Sequence, residues 1–169
     1  MSVLRETAGP YVNATVLAFT GSRDHPNTGL VIAHLAEYII LNITGPVIIR
    51  HGACPGEYSA DQAVHDWITT YGLPMNIIAD PMPADWDQCA PECPVTPTHR
   101  RRKKPGDTAH PGLARDYCPG AGPRRNRRML TKPPTPKALI AAPYGASYGT
   151  RGCMRLAENL GIHVERILL

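Results

Sequence analysis

Four residues near the middle of the chain have the types and spacing of a metal site: Cys89 and Cys93, four apart, then His99, then Cys118. Thiolates and imidazole are the ligands Zn²⁺ takes in tetrahedral structural sites, and three cysteines with one histidine complete such a site with no position left for substrate. His110 lies in the same stretch and is the alternative to His99, which stands closer to Cys93 in sequence. This stretch has few apolar residues and no means of burying a core of its own. A bound zinc would supply the missing folding free energy, on the order of 10 kcal/mol in zinc-finger peptides. The same residues also fit a basic loop with free thiols, or a disulfide in an oxidising compartment.

A second group of residues suits anion chemistry. Three segments read as loops between an apolar strand and a helix: "FTGSRDHPN", "RHGACPGEYSAD" and "PYGASYGT". Free amides and the helix dipole at a helix N-terminus favour a negative charge, and glycine lets the backbone come close to it. Gly21, Ser22 and Arg23 in the first loop offer a close approach, a hydroxyl and a forked donor. His51, Gly52 and Asp61 belong to the second, and Gly145, Ser147, Gly149 and Thr150 to the third. A glycine-bearing turn alone is common. Three on one edge, with Arg125 and Asn126 nearby, point to a nucleotide or a nucleotide-like ligand. Cys54 in the second loop is a candidate reactive thiol, Cys153 a small core residue. Trp86, just before the metal-ligand stretch, suits either stacking on a base or packing at a hinge.

These loops need a frame, and the hydrophobic pattern supplies one. Strands are expected at Asn13–Thr20, Pro46–Arg50, "MNIIAD", Lys137–Ala142 and "HVERILL". A helix capped by Asn27 is expected through Asn42, with Leu30, Val31, His34, Leu35, Tyr38 and Ile39 inward. A second opens with the Ser59–Gln62 capping-box spacing and ends at Tyr71, with Gly72 in the left-handed closing position. A third spans Thr150–Leu160, closed by Gly161. Apolar strands alternating with helices predict an α/β fold: a Rossmann-like three-layer α/β/α sandwich with a parallel sheet, whose strand C-terminal ends gather on one ligand-binding edge. The 169 residues fit one domain, interrupted by an insert at about residues 81–136 that holds twelve of the eighteen prolines and three of the five cysteines. Most of that insert is expected to be irregular, except for a short helix in "GPRRNRRMLTK".

Charge separates insert from frame. Residues 85–133 carry eleven Lys or Arg against five acids, net +6, while the rest of the chain is net −2. The insert is therefore a candidate nucleic-acid contact, although Trp86 and Tyr117 are the only aromatic residues nearby and single-strand binders use several. No apolar run approaches the roughly 18 residues that span a bilayer, and "MSVLRETAGPY" lacks a signal-like apolar stretch, so a cytoplasmic protein with no membrane partner is expected.

Taken together, "GSR", "HGAC…GE..AD", "GPRRNRRM" and "GASYGTRGC…A…GI" resemble the SLOG superfamily, which includes the Lonely-guy phosphoribohydrolases and the DNA-processing protein A, and most of all its small YspA-like branch of bacteria and actinobacterial phages. The resemblance covers about Val16–Ile167 outside parts of the insert. It implies a Rossmann-like sheet, a nucleotide-derived ligand on the strand-end edge and a homo-oligomer. By motif, the contacts it implies are Gly21, Ser22, Arg23, His51, Gly52, Asp61, Arg125, Asn126, Gly145, Ser147, Gly149 and Thr150. The phosphoribohydrolases of the superfamily carry an acid two residues after the Gly-Thr pair, where this chain has Gly152. A carboxylate there would stabilise an oxocarbenium-like transition state. Its replacement favours a binding protein over an N-glycosidic hydrolase, with Asp61 and Arg125 as the candidate catalytic residues of the latter.

Overall fold

The computed structural model describes residues 11, 13–95 and 99–168. The start of the chain, where no signal-like run is read, lies outside the described residues, as do 96–98 within the insert and Leu169 at the end of the last expected strand.

Each apolar run forms a strand: β1 (Thr15–Gly21), β2 (Val47–His51) and β3 (Ile77–Pro81) in the first half, then β6 (Ala138–Ala142) and β7 (His163–Arg166). They make one parallel sheet in the order β3-β2-β1-β6-β7. The fold is the expected Rossmann-like α/β/α sandwich. Helices α1 (Thr28–Asn42) and α2 (Ala60–Tyr71) cover one face, and their Val31, Leu35, Val64 and Ile68 pack on Leu17, Phe19, Ile49 and Ile140 of the sheet. Helices α3 (Ala121–Thr131) and α4 (Tyr148–Asn159) cover the other, with Met129, Leu130, Cys153 and Met154 on Ala18, Leu139 and Ala141. Residues of β1 and β6 alternate between the two cores, which is why these strands read as unbroken apolar runs.

The caps follow the sequence with two corrections. Asn27 accepts from the Leu30 amide and Ser59 from that of Gln62, but the Gln62 side chain turns to Asp66, so only half of the capping box forms. Gly72 is right-handed (φ −69°), and the left-handed residue is Asn76 (φ 56°), which follows a 3-10 turn over Leu73–Met75. What requires glycine at 72 is space: a Cβ there would collide with the carbonyls of Ile68 and Ile77. The stripe of α1 is also narrower than expected. Val31, Leu35 and Ile39, spaced by four, are buried, whereas Leu30 and His34 lie one position earlier, about 100° around the helix, and are exposed.

Among the described residues between β3 and β6, the chain is irregular except for α3 and a two-residue antiparallel pair, β4 (Arg101–Arg102) with β5 (Asp116–Tyr117). A small cluster of Trp86, Cys118 and Ala121 is its own buried core. No helix among the described residues is long and apolar enough to cross a membrane.

Candidate functional site

The chain runs from β1 outward through β2 to β3, then crosses back to β6 and outward to β7. The connections leaving β1 and β6 therefore diverge to opposite faces, and in open parallel sheets the crevice at such a switch point is where ligands sit. A cleft of about 650 Å3 opens there. One wall is the loop after β1, Thr20 to Asp24, and another is the loop after β6 with the first turn of α4, Tyr144 to Thr150. Cys54, Asp61, Arg125, Asn126 and His110 complete the lining.

Two of the expected contact residues brace the loops. The Ser22 hydroxyl lies 2.6 Å from that of Ser147, donates to the Tyr144 carbonyl at 3.0 Å and accepts from the Tyr144 amide at 2.6 Å, tying the first loop to the third. Asp61, 3% exposed in the first turn of α2, accepts from the amides of Gly21 at 3.2 Å and Cys54 at 3.4 Å, tying the first loop to the second. Burial pushes the Asp61 carboxyl above its usual range, against the pull of Arg125 and those two amides. Gly21 serves the same junction, since a Cβ there would collide with that of Ala60 at the start of α2.

The third loop leaves a helix end open. Gly145 (φ 58°) and Ser147 (φ 32°) are left-handed, and Ser147 makes no capping bond to α4. The first amides of α4, at Tyr148, Gly149 and Thr150, consequently have no side-chain cap and stand at the cleft.

The fourth wall is α3. From its first turns Arg125 donates to the Gly52 carbonyl and, at 2.9 Å, to the Asn126 side chain, whose amide reaches the Gly149 carbonyl at 3.3 Å. A Cβ at Gly52 would occupy the space of the Arg125 guanidinium and displace that side chain. The far end of α3 is held by Arg50 of β2, 2% exposed, which donates to the carbonyls of Met129 and Lys132 and pairs with Asp80 at 2.9 Å.

At the near end stands the Cys/His cluster. The ligand atoms of Cys89, Cys93, His99 and Cys118 all lie within 4.8 Å of one another, an arrangement that could hold a metal ion. Two arginines face it: Arg124 donates to the Cys93 sulfur at 3.1 Å, and Arg100 to that of Cys89 at 3.4 Å. Burial opposes ionisation of Cys118, but the Arg124 and His99 contacts outweigh it and hold the thiol down at about 6. Thiolates facing guanidinium groups fit a metal, since three thiolates around a divalent ion leave one net negative charge. His110 is outside the cluster. It stacks on Tyr117 at 3.7 Å, meets the Trp86 edge at 4.6 Å, pairs with Asp107 and lines the cleft.

Of the expected contacts, Gly21, Ser22, Arg23, Asp61, Arg125, Asn126, Gly145, Ser147, Gly149 and Thr150 all line the cleft. His51 and Gly52 do not. His51 is fully buried, its Nε2 3.1 Å from His65 Nδ1 and its Nδ1 accepting from the Ala53 amide, and burial, then His65 and Arg125, push its pKa down to about 4. Cys54 lines the cleft with its thiol pushed up by burial, and Cys153 is buried with its thiol pushed up to about 12. No sequence signal marks Arg50 as a brace or His110 as a cleft residue. Tyr144 and Tyr148 could have been suspected as aromatic residues flanking the third glycine loop. Comparisons with protein-family models, characterised proteins and solved structures returned no match.

Proposed function

We propose that this protein binds a nucleotide or nucleotide-derived ligand in the cleft between β1 and β6. The observation that carries the reading is the meeting, at one switch-point crevice, of the uncapped N-terminus of α4 with Arg23 and Arg125. Phosphate oxygens are the acceptors that such a set of amides and guanidinium groups suits. Arg23 has no carboxylate partner among the described residues, so its charge is available. The resemblance to the SLOG superfamily supports the same reading. Binding is favoured over hydrolysis because the Asp61 carboxylate is engaged by two amides and Gly152 stands where the related hydrolases carry an acid.

Zn²⁺ is the proposed occupant of the Cys/His cluster, in a structural role: three sulfurs and one nitrogen are a donor set it takes in closed tetrahedral sites. Cys89, Cys93, His99 and Cys118 would hold it, with Arg100 and Arg124 offsetting the residual charge.

Calorimetric titration of the full chain, metal retained, with nucleoside monophosphates, ADP-ribose and cyclic dinucleotides tests the reading. Binding by at least one, weakened about tenfold or more in Arg23→Ala, is expected. No heat from any of them would contradict it. Release of free base in the same mixtures, lost in Arg125→Ala, would instead establish the hydrolase reading.

A further inference from the structure

Contiguous with the cleft is a smaller chamber of about 240 Å3. Trp86 and Pro123 contribute to it from the insert and α3, and Tyr148, Gly152 and Leu156 from α4. Arg23, Arg125, Asn126 and Gly149 line both spaces, so one ligand can occupy the two together.

The chamber suits a flat ring. Trp86 is 9% exposed and stands nearly perpendicular to His110 at 4.6 Å and to Tyr117 at 5.9 Å, with the Arg23 guanidinium carbon over its ring at 6.0 Å. A tryptophan fixed in this way is a rigid aromatic part of the chamber wall, of which only a small part is exposed. On α4, Gly149, Gly152 and Leu156 share a face at helical spacing, and a Cβ added at either glycine would meet no described atom within 4 Å outside the helix's own backbone and the adjoining residues. Each glycine weakens the helix relative to alanine, yet no packed neighbour among the described residues requires it. Their effect is to leave empty space in the lining of the chamber. Tyr148, 85% exposed at the first position of α4, adds a second aromatic side chain.

We infer that this chamber seats the base of the nucleotide: the phosphate lies at the N-terminus of α4, and the ring lies beside Trp86 over the side-chain-free surface of Gly149 and Gly152. The inference rests on the proposed reading of the larger cleft and adds the part of the ligand that the cleft alone does not specify. The Asn126 side chain is already engaged by Arg125 and Gly149, so little remains to read the hydrogen-bonding edge of the base. Recognition is by packing of the ring against Trp86, Tyr148, the Arg23 guanidinium and the glycine face, contacts that tolerate different bases.

The test is calorimetric titration of the full chain, metal retained, with AMP, GMP and ribose 5-phosphate. AMP and GMP should bind with similar affinity, and each about tenfold to a hundredfold more tightly than ribose 5-phosphate, as stacking of one base on an aromatic side chain provides. Gly152→Leu places its Cβ in open space and the rest of its side chain in the chamber. It should erase that advantage and leave ribose 5-phosphate binding and thermal stability at or above the wild-type level. Independently of that variant, AMP should quench the remaining tryptophan, Trp86, in a Trp67→Phe background. An AMP advantage that survives Gly152→Leu, or no quenching of Trp86 by bound AMP, would overturn the base seat. Equal affinity for AMP and ribose 5-phosphate would overturn it while leaving the anion cleft standing. Failure of all three probes to bind would remove both.

Discussion

The sheet and the insert meet at the cleft but are held together by different physics. The frame of β1, β2, β3, β6 and β7 buries two apolar cores, one on each face. Apart from Met82, which joins the second core, the described residues between β3 and α3 contribute only Trp86 and Cys118 to a small cluster with Ala121, and otherwise depend on polar contacts around four candidate metal ligands. Arg100 and Lys103 of the basic run turn inward, to Asp116 with Cys89 and to Asp87, while Arg101, Arg102 and Lys104 are exposed. The lesson is that the frame builds loops in fixed positions, whereas the insert positions α3, which supplies Arg125 and Asn126, through a cluster that a metal would complete.

The largest effect that could break this contrast is on the insert. Chelation, or Cys118→Ser, should remove folding free energy on the order of 10 kcal/mol from that region alone. Hydrogen exchange should then lose protection in β4, β5 and the first turns of α3 and keep it in the five parallel strands. Uniform loss, or none, would erase the distinction. Next comes Arg50→Ala in the frame. It leaves the carbonyls of Met129 and Lys132 without their donor, while Asp80 keeps Lys132 at 3.2 Å, and should cost about 2–4 kcal/mol in chemical denaturation. A change under about 1 kcal/mol would show that α3 is held from the insert side only.

The burial of His51 beside His65 predicts a pH effect confined to the frame. His51 is held neutral down to about 4 in the folded protein, against 6.5 for the free side chain. Between those values the unfolded chain binds the extra proton. Stability should therefore be intact above pH 6.5, fall as pH drops toward 4, and level off below, by up to about 3 kcal/mol in total from this group. In His51→Gln that part of the slope should vanish from urea titrations run between pH 4.5 and 7, and a slope identical to wild type would contradict it. The smallest effect is expected for Ser22→Ala, which leaves the Tyr144 amide without its hydroxyl acceptor, about 1–3 kcal/mol in thermal or urea unfolding.

The frame was legible because its signals are local. Val16 to Phe19 and Ala138 to Ala142 are continuous apolar runs, and Asn27 and Ser59 lie three residues from the amides they cap. Gly72 was misread because its role is steric, set by the Ile77 carbonyl across a turn rather than by backbone handedness. The glycine loops were legible as loops. That Ser22 and Asp61 would be braces was not, because their partners stand 125 and 40 residues away in sequence. His51 looked like a loop residue because β2 runs one residue further than Arg50, which carries it under α2. Spacing alone left His99 and His110 as alternatives for the cluster, and the insert's fold separated them by stacking His110 on Tyr117. A strand pair of two residues each, β4 with β5, has no periodicity to read.

The most direct test of the central claim is amide chemical-shift mapping by NMR of the full chain, metal retained, titrated with AMP. Perturbations should concentrate at Gly21–Arg23, Arg125–Asn126 and Gly145–Thr150, with the exposed basic hairpin at Arg101, Arg102 and Arg115 unchanged. Shifts confined to that hairpin, or none at the open end of α4, would contradict it.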